Sequence, residues 1–212
     1  GHNFMTHANV ELETELTFLR GVDLTAIPPF LTASVDIECV SATGDFPDWR
    51  NSGDEIVFIG LVLWRYGTAE SSAQKYIFCT GSCDASDGIG ILRYPTEGEM
   101  LRAYRDFLVV HADPDVILGY NTFGFDYRYM WNRAKALRVP GFAHMSRVVV
   151  DACDGRERAL SSNQNGQAEI FEVNTGGRIH VDLYLWMTKN RNLSSYKLDD
   201  VAHLLLGERK HD

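Results

Sequence analysis

The stretch Ala33-Ser-Val-Asp36-Ile-Glu38-Cys-Val40 decides how this chain of 212 residues is read. It is apolar enough for a strand, yet it carries two acids two positions apart. On a strand, side chains at i and i+2 point to one face, so Asp36 and Glu38 share a face and Val35 and Ile37 take the other. Two like charges on one face repel, and burial adds desolvation, unless a cation lies between them. A divalent cation with oxygen ligands, Mg2+ or Mn2+, answers that demand. An edge strand with a solvated acidic face would explain the same residues, because charged side chains are normally exposed. The rest of the chain decides between the two.

Working outward, Glu55–Arg65 is apolar at nearly every position, which predicts a strand buried from two sides at the middle of a sheet. Gln74–Cys79 reads as a third strand, and the three together as an antiparallel meander. The loop Ser41–Asp54 is polar. Upstream, Val10–Phe18 alternates with period two and predicts another strand. Ile27-Pro28-Pro29 is a stiff connector into the acidic strand.

Downstream, Thr96 and Glu99 form a capping-box pattern ahead of Met100, Leu101, Tyr104, Phe107 and Leu108 at helical spacing. Asp113-Pro114 ends that helix, and Val116–Gly119 is a short buried strand. The next stretch, Tyr120-Asn121-Thr-Phe-Gly124-Phe125-Asp126-Tyr-Arg-Tyr129, opens a helix running to about Leu137. Ligands in α/β folds bind where strand ends hand over to helices. An aspartate in a first turn complements the helix dipole, which explains Asp126 but not Asn121 and Phe125 beside it. Ser161–Gly166 is a turn signal between two segments able to pair as a hairpin. Arg178–Trp186 reads as a strand leading into a helix, and Leu193–Gly207 as a capped helix ended by glycine. This order predicts an α/β domain with a mixed sheet and helices packed on it.

The formal charge is −9, with 29 acids against 20 bases, and 45% of residues are hydrophobic. An acidic chain is not a self-sufficient nucleic-acid binder, since non-specific affinity comes from Lys and Arg on phosphates. If DNA is the substrate, a cation must screen the site. Cys79 and Cys83 are spaced C-x3-C without a second ligand pair, which argues against zinc. With Cys39 and Cys153 they read as free thiols in a reducing, intracellular compartment. No signal peptide is visible and no apolar run approaches the ~20 residues that span a membrane, so no membrane partner is expected.

Taken together, these stretches resemble the proofreading 3′→5′ exonuclease domain of family B DNA polymerases, of the delta-like replicative type and its large-DNA-virus relatives. Asp36-Ile37-Glu38-Cys39 with Phe46-Pro47 matches the first exonuclease motif. Tyr120, Asn121, Phe125, Asp126 and Tyr129 match the second, Y-N-x3-F-D-x2-Y, in full. The runs Asp113–Tyr120, Gly177–Leu183, Ser195–Asp199 and Leu206–Asp212 also look like the family, so the resemblance covers nearly the whole chain from about Thr6.

The resemblance implies a ribonuclease H-like (DnaQ-like) fold, with residues 1–30 as an approach segment and 31–212 as the exonuclease domain. It implies a two-metal site for Mg2+ or Mn2+, with Asp36, Glu38 and Asp126 as catalytic metal ligands. Asn121 would position the terminal nucleotide, and Tyr120 and Phe125 would shape its pocket. The implied partners are a single-stranded DNA 3′ end, the remainder of a polymerase chain, a sliding clamp and accessory subunits. The implied location is a nucleus or a viral replication site. The segment Leu160–Gly177 resembles the family's DNA-contacting hairpin.

Tyr196 and Asp200 match the third motif, Y-x3-D, by spacing. In the family, however, the Ser-Tyr-Lys-Leu-Asp helix precedes that motif. They are therefore read as helix N-terminal residues, and Asp182 as structural. The fourth carboxylate is expected beyond Asp212, in a longer polymerase of which this chain is a piece. There is no D-T-D polymerase motif, so the chain is not expected to polymerise. Two other readings stay open: a non-catalytic binding module, and a free-standing nuclease completed by Asp200.

Overall fold

The computed structural model describes residues 5–8, 10–149, 153, 155–162 and 166–209. Along the chain come β1 (Leu31–Cys39), β2 (Ile56–Arg65), β3 (Gln74–Thr80) and β4 (Ile89–Tyr94). Next are α1 (Glu97–Asp106), β5 (Val116–Gly119) and α2 (Asp126–Ala136). The hairpin strands β6 (Gly155–Ser162) and β7 (Gly166–Val173) follow, then β8 (Ile179–Asp182), α3 (Leu183–Asn190) and α4 (Leu198–Leu206).

The first three strands form the expected antiparallel meander. β5 runs parallel to β1 on its other edge, and β8 runs parallel to β5. The six-stranded mixed sheet is therefore ordered β4-β3-β2-β1-β5-β8. The acid-bearing strand lies inside the sheet rather than at its edge. Val35 and Ile37 are buried, whereas Asp36 and Glu38 are exposed. The buried face of β1 meets Ile59, Leu61, Phe78 and Ile117. Met100, Leu101 and Tyr104 of α1 and Tyr127, Met130 and Ala134 of α2 close that core.

The helix signals act as chemistry requires. Thr96 Oγ1 accepts from Glu99 N–H at 3.3 Å and donates to the Glu99 carboxylate at 3.1 Å. This satisfies an N–H that the first turn would otherwise leave unpaired. Past Asp106 the helix loosens into a π-type turn through Ala112. Asp113 then takes a left-handed φ of 46° and stops it. Below the sheet, Arg178 donates to Met145 O at 2.9 Å and Asp113 Oδ1 at 2.6 Å, and Arg147 to Asp115 Oδ1 at 2.8 Å. These bonds clamp the start of β5 to the start of β8.

Three expectations change. Val10–Phe18 is not a strand: it holds one short 3-10 turn, Leu16–Phe18, and Val10, Leu12, Leu16 and Phe18 are exposed. Alternation makes a strand only where another edge accepts its N–H and C=O groups. Among the described residues no edge does. The chain touches the domain earlier, where His7 N–H donates to Arg147 O at 2.7 Å. Second, β2 is buried fully on one face only, through Ile59, Leu61 and Leu63. Phe58, Gly60, Val62 and Trp64, on the acid-bearing face, are half-buried. Third, β4 carries too short an apolar signal, interrupted by Gly90, to be read from sequence. A Cβ at Gly90 would lie 2.8 Å from the Tyr76 ring, so the glycine permits the strand it obscures. β4 pairs parallel to β3 although only residues 81–88 link them, fewer than the dozen usual for such a crossover.

The hairpin forms, with Gly155 opposite Val173 and Ser162 opposite Gly166. Residues 163–165 of the predicted turn lie outside the described residues. The four cysteines are unbridged thiols.

Candidate active site

β5 pairs with β1 only as far as Ser34. Past that point the Ile37 N–H would be left without a ladder partner. Asp126 takes the vacancy: its Oδ1 accepts from Ile37 N–H at 3.1 Å. At the other end of the same edge, Asp115 Oδ2 accepts from Leu31 N–H at 2.8 Å. Carboxylates thus finish both ends of the parallel ladder, because buried backbone donors must be paired.

This places Asp126, only 3% exposed, beside the acid-bearing end of β1. Burial pushes its carboxyl up to about 7. The Asp36 charge adds to the rise, while backbone hydrogen bonds, including that from Ile37, oppose it. The Cys39 thiol is pushed up to about 12, first by burial and then by the charges of Glu97, Asp126 and Glu38. Negative potential therefore concentrates at the C-terminal end of β1. In the antiparallel register Asp36 faces Gly60. No side chain stands opposite it, and space is left over the carboxylate. Gly60 is the site feature the sequence reading missed; a glycine inside an apolar strand is a signal of close approach.

The loop between β5 and α2 is held by Asp182. Its Oδ1 accepts from Asn121 N–H at 3.0 Å and Tyr184 N–H at 2.9 Å, and its Oδ2 from Phe123 N–H at 2.9 Å. A more distant bond comes from Leu185 N–H at 3.3 Å. Asp182 is buried and serves as N-cap of α3; every one of these partners is backbone, which is a structural employment. Asn121 sits at a left-handed φ of 61° and packs over Gly124, where a Cβ would lie 2.2 Å from Asn121 Oδ1. Tyr120 donates its hydroxyl to Tyr196 O at 2.5 Å and meets the Tyr184 ring edge-on.

Phe125 precedes α2 and touches Phe46 at 5.4 Å and Tyr129 at 5.3 Å between ring centroids. Phe46 is 79% exposed. With Trp49, Arg50 and Arg128 these rings line a cleft of about 320 Å³. Behind it, Glu97 and Arg133 form a bidentate pair whose side chains are 3% and 4% exposed. Glu97 also accepts from Ile56 N–H at 3.0 Å, and Arg133 donates to Asn51 O at 2.9 Å. This joins α1, α2, the start of β2 and the Ser41–Asp54 loop into one support.

The structure thus places Asp36 and Glu38 on one open face, sets Asp126 beside Asp36, and puts Phe125, Asn121 and Tyr120 on the adjoining loop. It does not close the three carboxylates into one ligand set. Among the described residues, no group of three or more His, Cys, Asp or Glu side chains is placed to hold a metal ion. The donor chemistry nevertheless fits: carboxylate oxygens are what Mg2+ and Mn2+ take. A cation would also offset the Asp36 repulsion that adds to burial in raising Asp126. Tyr196 spends its hydroxyl locally, donating to Arg191 O at 2.7 Å and accepting from Leu193 N–H at 3.2 Å. Asp200 lies in the first turn of α4 and accepts from Ser195 Oγ at 2.5 Å.

Fold and site together define a class: a ribonuclease H-like α/β exonuclease domain with its acids on the central strand and at the start of the following helix. Residues 2–201 match the family described as DNA polymerase family B, exonuclease domain. The chain belongs to that family. It is 31% identical, over 98% of its length and 23% of the relative's, to a DNA polymerase of Paramecium bursaria Chlorella virus NY2A. It is 32% identical to the DNA polymerase delta catalytic subunit of Dictyostelium discoideum, over 96% of this chain and 18% of that one. The corresponding rice subunit (Oryza sativa subsp. japonica) is 33% identical over 87% of this chain and 16% of its own length. The chain therefore spans about a fifth of the length of the curated relatives it matches.

Proposed function

We propose that this domain removes nucleotides from the 3′ end of single-stranded or frayed DNA, as the proofreading part of a longer family B polymerase acting at a nuclear or viral replication site. Residues 31–212 would be the exonuclease domain and 1–30 its approach from the preceding part of that polymerase. A sliding clamp and accessory subunits would be partners of the whole enzyme. The observation that carries the reading is the placement of Asp126 beside Asp36 at the open end of β1, bonded to Ile37 N–H, where burial and then the Asp36 charge push its carboxyl up to about 7. A carboxyl perturbed by burial together with a specific charged neighbour is a functional-site candidate.

In the reaction, water attacks the terminal phosphorus, the P–O3′ bond breaks, and the proton finishes on the departing 3′ oxygen. A nucleoside 5′-monophosphate leaves. Asp36, Glu38 and Asp126 would hold Mg2+ or Mn2+. When bound, such a cation supplies charge neutralisation at the phosphate and a more acidic water. The bond from Ile37 N–H orients the Asp126 carboxylate. Asn121, fixed in its left-handed conformation, positions the terminal nucleotide, while Tyr120 and Phe125 wall its pocket. An unpaired end is favoured because reaching the site costs less when no base pair has to open. A second reading, a binding module without turnover, draws support from the open arrangement of the three carboxylates.

The test is digestion of 5′-labelled single-stranded DNA in Mg2+ and Mn2+. The samples are this chain, its Asp36→Ala and Asp200→Ala variants, and a chain carrying about 60 further residues after Asp212. Hydrolysis lost with Asp36→Ala and kept with Asp200→Ala supports the proposal. Loss with Asp200→Ala would make Asp200 a working ligand. Binding without digestion by either chain length would leave the module reading.

A further inference from the structure

The stretch between Asp182 and Asp199 contains no acid, although the chain as a whole carries 29. It contains Lys189, Arg191 and Lys197, all exposed. None of the three makes an ion pair among the described residues. Three unpaired cations between Lys189 and Lys197, in a stretch without acids, ask for an anionic partner.

Their placement says which one. Thr188–Leu193 and Tyr196 line a groove of about 600 Å³ behind the end of α3, with Lys189 and Arg191 on its wall. The groove is tied to the nucleotide loop. Tyr120 donates to Tyr196 O at 2.5 Å, and the Tyr184 ring stands between Tyr120 and Tyr196 at 5.8 and 6.4 Å. Lys197 follows Tyr196 directly. The basic track thus starts at Lys197, beside the proposed terminal-nucleotide pocket, and ends at the last turn and C-cap of α3, where Lys189 and Arg191 stand. The exposed ring of Trp186 lies on the same helix. The acids that follow are occupied: Asp199 pairs with Arg209 at 3.1 Å, and Asp200 holds Ser195.

We propose that Lys189, Arg191 and Lys197 form a phosphate-binding track for the single strand whose 3′ end occupies the site, with Trp186 available to stack a base. This rests on the proposed function and extends it to the strand behind the terminal nucleotide. The carboxylate end of β1 repels the DNA backbone; the track supplies local attraction that the chain's overall charge does not.

The test is fluorescence anisotropy of labelled oligo(dT) on the full chain in EDTA, so that nothing is cleaved, titrated with KCl. Each phosphate contact on a single strand contributes about 0.7 to the slope of log K against log salt. The Lys189→Ala/Arg191→Ala/Lys197→Ala variant should lower the slope by about 2 and weaken binding about 100-fold at 0.1 M salt. Its affinity for thymidine 5′-monophosphate should not change, and that measurement also confirms folding. An unchanged slope, or no binding of oligo(dT) by the unmodified chain, overturns the track. Failure of the proposed hydrolysis would show separately, in digestion that survives Asp36→Ala.

Discussion

Replacing Asp126 by Asn should stabilise the metal-free protein at pH 8 while removing a metal ligand. The carboxyl is buried next to Asp36 and is raised from 3.8 to about 7. The folded protein therefore keeps this proton up to about pH 7, whereas the unfolded chain releases it near 3.8. Between those values unfolding releases a proton, so stability falls as pH rises through the window and levels off above it. At about 1.4 kcal/mol per pH unit, the full penalty by pH 8 is on the order of 4 kcal/mol. Asparagine retains an oxygen for Ile37 N–H and never ionises, so the variant lacks this pH dependence. Urea denaturation in EDTA at pH 4, 6 and 8 reads it directly, with the variant gaining most on the unmodified protein at pH 8. Saturating Mn2+ should then reverse the order, stabilising the unmodified protein more. If the difference between the two proteins stays constant from pH 4 to 8 within about 0.5 kcal/mol, Asp126 is not carrying a buried, opposed charge and the site has been misread.

Other perturbations test the frame around the site. Arg133→Met leaves Glu97 buried without its partner and should cost about 3–5 kcal/mol in denaturant titration; pairing it with Glu97→Gln should recover part of that loss. Gly119→Ala places a Cβ 2.6 Å from Val35 O and 2.3 Å from Thr122 Cγ2. Because one neighbour is backbone, Thr122→Ser should not rescue it, and the melting temperature should fall by an amount equivalent to about 1–3 kcal/mol. Asp182→Ala removes the shared acceptor of Asn121 and Phe123 N–H. Amide exchange at those two positions should accelerate well before global unfolding, since locally weakened segments open on their own. His180, between the Tyr127 hydroxyl and Thr175, is held down to about 4 by burial and then by Arg178. Stability is lost as pH falls from 6.5 towards 4, and His180→Gln should flatten that acid limb in the same titration.

Much of the fold was legible because its signals are local. The capping box at Thr96, the left-handed stop at Asp113, the glycine ending α4 and the alternation of β1 each act within a few residues of where they are written. The two motif stretches were legible for the same reason, since side-chain order along a strand and position in a first helical turn follow from spacing alone. Val10–Phe18 shows the limit: its alternation is as regular as that of a strand, but pairing needs a second edge. β4 shows the converse, a weak pattern made into a strand by the neighbouring β3.

What the sequence by itself determined is therefore the identity and facing of the groups: Asp36 and Glu38 together on one face of a strand, and Asp126 at the head of a helix. It determined the family through the order of those groups. Only the tertiary structure decided that the pairing of β5 with β1 stops at Ser34, that Asp126 completes the β1 edge in its place, and that Gly60 stands open opposite Asp36. Those are facts of register between segments far apart in the chain. The raised Asp126 carboxyl follows from them, because burial and a facing charge exist only once the sheet has assembled.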